Sequence, residues 1–403
     1  MVMADGVERA AGSVGGRLMN APPAASPPAP ATADALGRLP PLRAEGRLGR
    51  LRDLLADSSV DAVVVSEPAN VRWLTGFTGS NGTVVVLGSG DALLVTDGRY
   101  AEQAPAQLAE AGTSGDVEVV VARKVAQAVA ARLDAVSRLG LEDSVAWREQ
   151  IGWNEAVDAE TTPLTEAVEG LRAVKDPAEL ARMQAAAAVA DEALAATEPM
   201  LRPGVTEVQV QQHLDDAIRA AGASGPAYDT IVASGPNSAL PHARPTERRL
   251  RAGDLVIIDV GAVVDGYRSD MTRSFVLGGP DEQAETMLEV VGRSQSAGVE
   301  AVRPGANAGD IDSTCRSVIE EAGMGEAFMH GSGHGVGLDI HELPRVVSGS
   351  TAVLEPGNVL TIEPGVYFPG VGGARVEDLL VVTGDGCRQL TLYPKAPVVP
   401  LAR

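Results

Sequence analysis

Acidic residues occupy matching positions in a pair of strand-like segments in the last third of the chain. Asp259 lies in the first segment and Asp270 in the second, with a hairpin turn signal at Asp265–Gly266 between them. A turn centred between Val264 and Asp265 would place the two carboxylates directly opposite each other, and a turn centred one residue later would make them diagonal neighbours. Either register brings like charges together, which destabilises a sheet unless a positive group lies between them.

A second pair of strand-like segments repeats this arrangement around a loop rich in glycine and proline. Glu363 and Glu377 lie symmetrically about Gly370, so a hairpin would also bring their carboxylates together. Between the two pairs, His334 lies in a glycine-rich run, which allows close approach of the backbone around its ring. Four carboxylates and an imidazole in one pocket would repel each other and desolvate badly without cations. We therefore predict a metal site with the ligands Asp259, Asp270, His334, Glu363 and Glu377.

The composition of this ligand set indicates which metals it would bind. Several oxygen ligands with a single nitrogen suit Mn²⁺ best, with Co²⁺ or Zn²⁺ as alternatives. Four carboxylates are more than one catalytic ion needs, and a centre of two ions about 3.5–4 Å apart fits them better. Each residue taken alone has a simpler explanation in a turn, a loop or a strand end. The joint order and symmetry of the five residues favour the metal site.

These residues and their neighbours resemble a known family. The five ligands are similar to those of the pita-bread metallopeptidases, which include methionine aminopeptidase, aminopeptidase P and prolidase. The surrounding motifs resemble the Xaa-Pro branch, aminopeptidase P and prolidase, at Asn237–Thr246, Gly331–Glu342, Thr361–Tyr367 and Arg375–Asp378. Two earlier motifs resemble the non-catalytic domain that proline-specific members carry ahead of the catalytic one, at Asn70–Asn81 and Val95–Tyr100.

The resemblance implies an α+β fold, in which a pita-bread catalytic domain follows a smaller α/β amino-terminal domain of the creatinase type. It also implies an exopeptidase that hydrolyses the Xaa-Pro bond in dipeptides or at the amino terminus of longer peptides. Asp270 and Glu377 would then bridge both metals. Asp259 would chelate one metal, and His334 and Glu363 would bind the other. We expect Glu363 to act as the proton shuttle as well.

Four further residues are candidates for contact with the substrate. His242 and His341 match family positions that contact substrate near the scissile bond. Arg345 follows His341 by four residues, where many Xaa-Pro dipeptidases carry an arginine that holds the free substrate carboxylate. Arg375 lies two residues before Glu377, so in a strand both side chains share a face and the guanidinium would orient a carboxylate or a substrate group. A surface ion pair is the alternative for Arg375.

Composition along the chain predicts three regions. Residues 1–42 are rich in Ala and Pro without apolar periodicity, which predicts a disordered tail. Residues 43–169 alternate strand and helix patterns and are expected to form the non-catalytic α/β domain. Asp176 and Pro177 are a strong helix start signal, so the catalytic domain is expected at 175–403. Within it we predict helices at 176–199, 206–222, 281–302 and 308–323.

Charge and cysteine content restrict the environment of the protein. A formal net charge of −21 at pH 7 argues against partners such as nucleic acid or an anionic membrane. Two cysteines without ligand-like spacing indicate a reducing compartment. The sequence has no long apolar run and no signal-peptide pattern, so we expect a cytoplasmic protein. The resemblance implies that its partners are proline-containing peptides and a second copy of the chain in a homodimer.

Two other functions are compatible with these residues. A metal-dependent hydrolase of the same fold could act on a non-peptide substrate, because a fold does not fix the substrate. A catalytically silent binding protein is the second alternative, since some relatives of this fold lack the metal ligands. Here all five ligand positions are filled, which argues against a silent protein.

Overall fold

A computed structural model of the chain describes residues 32–395 and 398–401. The strands of its amino-terminal domain are β1 (Ala62–Val65), β2 (Gly82–Leu87), β3 (Ala92–Thr96), β4 (Glu118–Val121), β5 (Arg138–Glu142) and β6 (Glu160–Leu164). They form one sheet in the order β4-β3-β2-β1-β5-β6. Helix α1 (Thr32–Gly37) precedes this domain, and the helices that accompany the sheet are α2 (Arg47–Asp57), α3 (Pro68–Thr75), α4 (Gln103–Ala111), α5 (Val125–Val129), α6 (Trp147–Ala156) and α7 (Ala167–Arg172).

The central strands of this sheet are buried on both faces. Consecutive side chains of a strand point to opposite sides, so they pack in two different cores. On one face, Val63 and Val65 belong to a core that includes Trp73 of α3. On the other face, Val64 packs in a separate core with Trp153 of α6. Helices therefore cover both sides of the sheet, in agreement with the predicted alternation of strands and helices.

The segment predicted as a disordered tail is ordered in its last part. Residues 1–31 lie outside the described residues, but Thr32–Gly37 form α1. Leu36 and Leu39 pack against the core of the carboxy-terminal domain, and the Pro40 carbonyl accepts a hydrogen bond from Arg182 Nη1 at 3.0 Å. The prediction of disorder is therefore wrong for residues 32–42, because a distant surface stabilises this segment and its own sequence shows no periodicity.

The carboxy-terminal domain begins with a long helix, as predicted. Its helices are α8 (Pro177–Thr197), α9 (Glu207–Ala220), α10 (Glu282–Ala301) and α11 (Ala308–Glu321), all within two residues of the predicted bounds. The predicted end of the amino-terminal domain at Glu169 falls inside α7. Within the described ranges, no helix combines the length and apolar character needed to cross a membrane.

Short strands, mostly antiparallel, form the rest of this domain. They are β7 (Gly225–Pro226), β8 (Ile231–Ser234), β9 (Leu255–Val260), β10 (Ala262–Val264), β11 (Tyr267–Arg268), β12 (Met271–Leu277), β13 (Gly333–Gly335), β14 (Glu342–Val346), β15 (Val359–Ile362), β16 (Gly365–Phe368), β17 (Gly372–Arg375), β18 (Asp378–Val382), β19 (Cys387–Gln389) and β20 (Val398–Val399). The sheets have the orders β20-β12-β9-β8, β11-β10-β7, β14-β13-β15-β18-β19 and β16-β17. The predicted α+β class is confirmed.

The first acidic pair adopts the diagonal register. Asp259 lies opposite Thr272 in the β9–β12 pairing, so Asp270 is displaced by two residues on the same face. The turn between β10 and β11 has two central residues, Asp265 and Gly266, with φ values of 47° and 77°. Two positive φ values are the signature of a type I′ hairpin turn. The turn is therefore centred one residue later than direct opposition of the carboxylates requires.

The second acidic pair is directly opposed. Ile362 pairs with Asp378, and the same register continues beyond Gly365 into the β16–β17 pairing. Glu363 and Glu377 therefore face each other across the hairpin, as their symmetry in the sequence predicted.

The helix start signal at Asp176 also connects the two domains. Its Oδ1 accepts hydrogen bonds from the backbone N–H groups of Ala178 and Glu179 at 2.8 and 2.9 Å. Its Oδ2 forms an ion pair with Arg47 of the amino-terminal domain at 2.7 Å. One carboxylate therefore caps α8 and binds a guanidinium that is almost completely buried.

We expect Asp176→Ala to lower the urea midpoint of unfolding more than Thr206→Ala, which removes the capping box of α9. Loss of a cap costs about 1 kcal/mol. Asp176→Ala additionally removes one of the two carboxylates that pair with Arg47, the other being Glu179. Circular dichroism during urea titration measures both midpoints. Equal shifts would show that the Arg47 ion pair adds no stability.

Candidate metal centre

One cavity of about 620 Å³ brings together every side chain predicted for the site. Its walls come from both acidic hairpins and from the glycine-rich segment around β13. The predicted residues on these walls are Asp259, Asp270, His334, Glu363, Glu377, His242, His341, Arg345 and Arg375. A volume of this size is in the range of pockets that hold small ligands.

Asp270, His334 and Glu377 form the innermost part of the site. Each offers one ligand atom, and these atoms all lie within 4.8 Å of one another. His334 Nε2 lies 3.6 Å from Asp270 Oδ2 and 3.2 Å from Glu363 Oε1. One imidazole nitrogen therefore faces carboxylates from both hairpins.

Glu377 has one carboxylate oxygen that is satisfied and one that is not. Its Oε2 accepts a hydrogen bond from Thr272 Oγ1 at 2.7 Å. Its Oε1 is buried and has no hydrogen-bond partner among the described residues. Because an unpaired buried carboxylate oxygen is costly, this atom requires a positive or donating group that the neighbouring side chains do not supply.

Asp259 is held from two sides. Arg375 Nη2 forms an ion pair with Asp259 Oδ2 at 2.7 Å, and Tyr228 Oη lies 2.5 Å from Asp259 Oδ1. Arg375 is fixed in turn, since its Nε donates to Thr272 Oγ1 at 3.0 Å and its Nη1 to Tyr367 Oη at 2.8 Å. The Arg375 side chain is 3% exposed, which excludes a surface ion pair. Its guanidinium orients the Asp259 carboxylate.

Four hydrogen-bonding residues of the site were not predicted from the sequence, namely Tyr228, Thr272, Thr361 and Tyr367. Tyr228 Oη also lies 2.5 Å from Asp270 Oδ1, so one hydroxyl contacts carboxylates from both strands of the first hairpin. Thr272 follows Asp270 by two residues, and strand periodicity could have identified it. Tyr228 lies in a loop between β7 and β8, where no periodicity indicates the direction of a side chain.

His330 extends this network behind Arg375. Its Nε2 lies 2.9 Å from Tyr367 Oη, the hydroxyl that accepts a hydrogen bond from Arg375. Its Nδ1 lies 2.8 Å from the Gly331 carbonyl. His330 therefore supports Tyr367 and also lines the cavity itself.

His242 and His341 lie on the cavity wall outside the ligand cluster. The His341 ring packs edge-on against the His334 ring, with 4.4 Å between the centroids. His242 follows Pro241, whose carbonyl accepts a hydrogen bond from Arg375 Nη1 at 3.2 Å. Both imidazoles are thus next to groups that belong to the metal centre.

Arg345 lies farther out, on the β14 part of the wall. It is opposite His334 in the β13–β14 pairing. Its side chain is 65% exposed and forms an ion pair with Glu166 of the amino-terminal domain at 3.1 Å. An exposed pair of this kind is weak, so an anion that enters the cavity can compete for the guanidinium.

Burial and crowding shift the pKa values of the ligands. Burial, followed by the nearby Asp259 carboxylate, raises the pKa of Asp270 to about 8. Burial and Asp270 raise the pKa of Glu377 well above its ordinary value. Burial would lower the pKa of His334, but Glu363 and Asp270 outweigh it and raise that pKa to about 9. Burial would raise the pKa of Glu363, but His334 outweighs it and lowers that pKa to about 2.

These residues fit divalent cations. A nearby positive charge would pair with the free Glu377 oxygen and would lower the raised pKa of Asp270. The oxygen-rich donor set with one imidazole matches hard and borderline divalent metals. Bound cations would keep Asp270 and Glu377 ionised and would require His334 to be neutral.

Comparison with known proteins establishes the family. Residues 181–384 match metallopeptidase family M24, and residues 47–174 match the creatinase/prolidase N-terminal domain. The chain belongs to metallopeptidase family M24. The pita-bread catalytic domain and the creatinase-type amino-terminal domain predicted from the sequence are confirmed, and membership of this family implies divalent metal ions.

Three relatives of this M24 peptidase match it over nearly their whole length. An Xaa-Pro dipeptidase of Pyrococcus furiosus is 34% identical over 86% of this chain and 97% of its own. The structure of an Xaa-Pro dipeptidase from Bacillus anthracis covers 89% of this chain and 100% of its own, with 36% identity and a TM-score of 0.84. The structure of an X-Pro aminopeptidase from Thermotoga maritima covers 88% of this chain and 99% of its own, with 30% identity and a TM-score of 0.78.

We expect cation binding to the M24 site to release protons near neutral pH. With pKa values of about 8 and 9, Asp270 and His334 hold protons at pH 7 in the cation-free protein. A cation competes with these protons, so its affinity should rise as the pH increases through these values. Calorimetric titration with Mn²⁺ in buffers of different ionisation enthalpy measures the protons released. The Asp270→Asn variant should release fewer protons per bound ion. If the unaltered protein releases no protons, Asp270 and His334 are not the groups that bind the cation.

Proposed function

We propose that this M24 peptidase is a dinuclear-metal-dependent exopeptidase that hydrolyses Xaa-Pro bonds, with dipeptides as its preferred substrates. The main support is the convergence of two carboxylate pairs and His334 in one cavity, together with His242, His341 and Arg345. Relatives named Xaa-Pro dipeptidase and X-Pro aminopeptidase support the specificity for proline.

The metal ions, which we propose to be Mn²⁺, would be held by Asp259, Asp270, His334, Glu363 and Glu377. When bound, such ions lower the pKa of water and polarise a peptide carbonyl. Thr272 orients Glu377, and Tyr228 lies between Asp259 and Asp270. These supporting residues determine which carboxylate oxygens face the cavity.

Glu363 is placed to move a proton during hydrolysis. Its Oε1 lies 3.2 Å from both His334 Nε2 and Thr361 Oγ1, and its side chain is 17% exposed towards the cavity. The nitrogen of an Xaa-Pro bond carries no hydrogen, so it must gain a proton to leave as the proline amine. Glu363 would take a proton from the attacking water and deliver it to this nitrogen.

His242 and His341 would stabilise the negative charge that develops on the substrate carbonyl oxygen. Burial is the largest cause that lowers the pKa of His341, which favours its neutral imidazole. A neutral imidazole keeps one N–H donor. A donor aimed at the developing oxyanion is worth several kcal/mol of transition-state stabilisation, about 2.7–4 kcal/mol in well-studied cases.

Arg345 would bind the free carboxylate of a dipeptide. The proposal rests on its place on the cavity wall, opposite His334, and on its weak ion pair with Glu166. A longer peptide has no carboxylate at this distance from the scissile bond. Arg345 would therefore favour dipeptides over longer substrates.

We further propose that the enzyme is cytoplasmic and homodimeric and that it acts on proline-containing peptides. Cys315 and Cys387 are free thiols, which suits a reducing compartment. The dimer is proposed from the family resemblance.

We expect metal-free protein to be inactive and Mn²⁺ to restore release of the amino-terminal residue from an Xaa-Pro dipeptide. Asp270→Ala should reduce this activity to background, because it removes a ligand from the centre of the site. Asp281→Ala is the control, since it removes a carboxylate that only caps α10. Parallel assays with Xaa-Pro-Yaa-Zaa separate dipeptidase from aminopeptidase activity. If the reloaded protein cleaves neither peptide, the proposed function is wrong.

We expect Arg345→Ala to raise KM for the dipeptide about tenfold or more, since a hydrogen bond to a charged group contributes about 1.5–3 kcal/mol. KM for the longer peptide should change little. Steady-state kinetics on both peptides test this, with Arg244→Ala as a control at another arginine of the same cavity. An equal effect on both peptides, or the same effect from Arg244→Ala, would show that Arg345 is not the carboxylate anchor.

A further inference from the structure

Buried polar contacts connect the amino-terminal domain to the segment that carries His341. Asn70 of α3 has no exposed surface. Its Nδ2 donates to Glu142 Oε1 at 2.7 Å and to Glu169 Oε1 at 2.6 Å, and its Oδ1 accepts from Arg172 Nη1 at 2.7 Å. Both N–H groups and the carbonyl oxygen of the amide are used, which fixes its orientation.

Arg172 continues these contacts into the catalytic domain. Its Nη2 donates to Asp339 Oδ2 at 2.8 Å and to Glu342 Oε2 at 2.5 Å. Lys175 Nζ lies 2.5 Å from Glu342 Oε1. Arg172, Lys175 and Glu342 are 2%, 5% and 8% exposed, so these charges are paired with little water around them. Such a network favours one geometry, because any displacement leaves a buried charge unpaired.

The two carboxylates held by Arg172 flank His341 in the sequence. The His341 ring contacts the His334 ring, and within the described part of the chain no hydrogen bond restrains its imidazole. The backbone between Asp339 and Glu342 therefore determines where the ring lies. Displacement of a substrate-contacting group by 1 Å can reduce the rate about 100-fold.

We propose that Asn70 is a positioning residue of the M24 site. Through Arg172 it holds the segment from Asp339 to Glu342, and thereby the His341 ring, at the cavity wall. Asn70 is completely buried, so it would contribute to catalysis without contacting the substrate. The inference rests on the proposed function only for the role of His341 in substrate contact.

The competing explanation is that these contacts only hold the two domains together, and Arg72 allows a matched comparison. Arg72 Nη2 donates to the Asp265 carbonyl at 2.8 Å and to Asp265 Oδ1 at 3.2 Å, which is also a contact between domains. It binds the turn of the first hairpin and not the His341 segment. Arg72→Ala therefore removes a domain contact without releasing His341.

Double-variant kinetics test the coupling between Asn70 and His341. With Mn²⁺-loaded protein and an Xaa-Pro dipeptide, Asn70→Ala should lower kcat/KM about tenfold, within the loss expected for a misplaced group. In the His341→Ala background it should lower kcat/KM by no more than about twofold, because its effect passes through the missing ring. The same tenfold loss in both backgrounds would overturn the proposal. Arg72→Ala should change kcat/KM by the same factor in the unaltered protein and in the His341→Ala background.

Hydrogen exchange of backbone amides tests the positioning without any substrate. Asn70→Ala should raise the exchange rate in residues 338–342 and leave residues 263–268 unchanged, whereas Arg72→Ala should do the reverse. If Asn70→Ala leaves the exchange rate in residues 338–342 unchanged, the proposal is overturned, even if the peptidase activity is confirmed. If the protein cleaves no Xaa-Pro peptide but exchange responds as expected, the proposed function fails and the positioning of this segment stands.

A milder variant keeps the test valid if Asn70→Ala does not fold. Glu142→Gln preserves the side-chain shape and weakens the acceptor for Asn70 and for the backbone N–H groups of Ser66 and Glu67. It should raise exchange in residues 338–342 to a smaller extent. No response from a folded Glu142→Gln protein would count against the proposal.

Discussion

Burial of several carboxylates in one cavity is the constraint on which the catalytic domain depends. Asp270 and Glu377 are 4% and 1% exposed, and a buried carboxylate must be paired, hydrogen-bonded, protonated or bound to a cation. Arg375 compensates part of the charge at Asp259, and Thr272 satisfies one oxygen of Glu377. Burial, followed by the neighbouring Asp259 carboxylate, raises the pKa of Asp270, and divalent cations would offset both effects.

The second acidic pair lies at an interruption in its hairpin, whereas Asp259 of the first pair lies within β9. Glu363 and Glu377 fall between the pairing of β15 with β18 and that of β16 with β17. At this interruption Glu363 N donates to the Ser332 carbonyl and Glu377 N to the Thr272 carbonyl, at 2.8 and 3.1 Å. The second bond joins the two hairpins directly. The same backbone break that ends a strand therefore brings the two carboxylate pairs together.

Among the described residues, the amino-terminal domain contacts the catalytic domain through buried charge at two places. Near the start of α8, Glu179 accepts hydrogen bonds from Trp73 of α3 and from Tyr267 of β11, and its carboxylate lies 3.4 Å from Arg47. The second place is the set of contacts from Asn70 to the His341 segment. A buried charge that loses its partner is costly, so these contacts restrict how the two domains lie relative to each other.

The sequence by itself determined the helices of the catalytic domain and the two acidic hairpins, because local periodicity and turn chemistry fix which face a strand residue occupies. His242, His341 and Arg345 were predicted from the family resemblance, and the tertiary structure placed all nine predicted residues around one cavity. The sequence left the register of the first hairpin open between two choices, and Asp265 and Gly266 in a type I′ turn decided it. Only the tertiary structure showed that α1 is ordered, that Tyr228 lies between two carboxylates, and that Asn70 reaches the His341 segment. These contacts join residues far apart in the chain, and sequence spacing carries no information about which distant side chains meet.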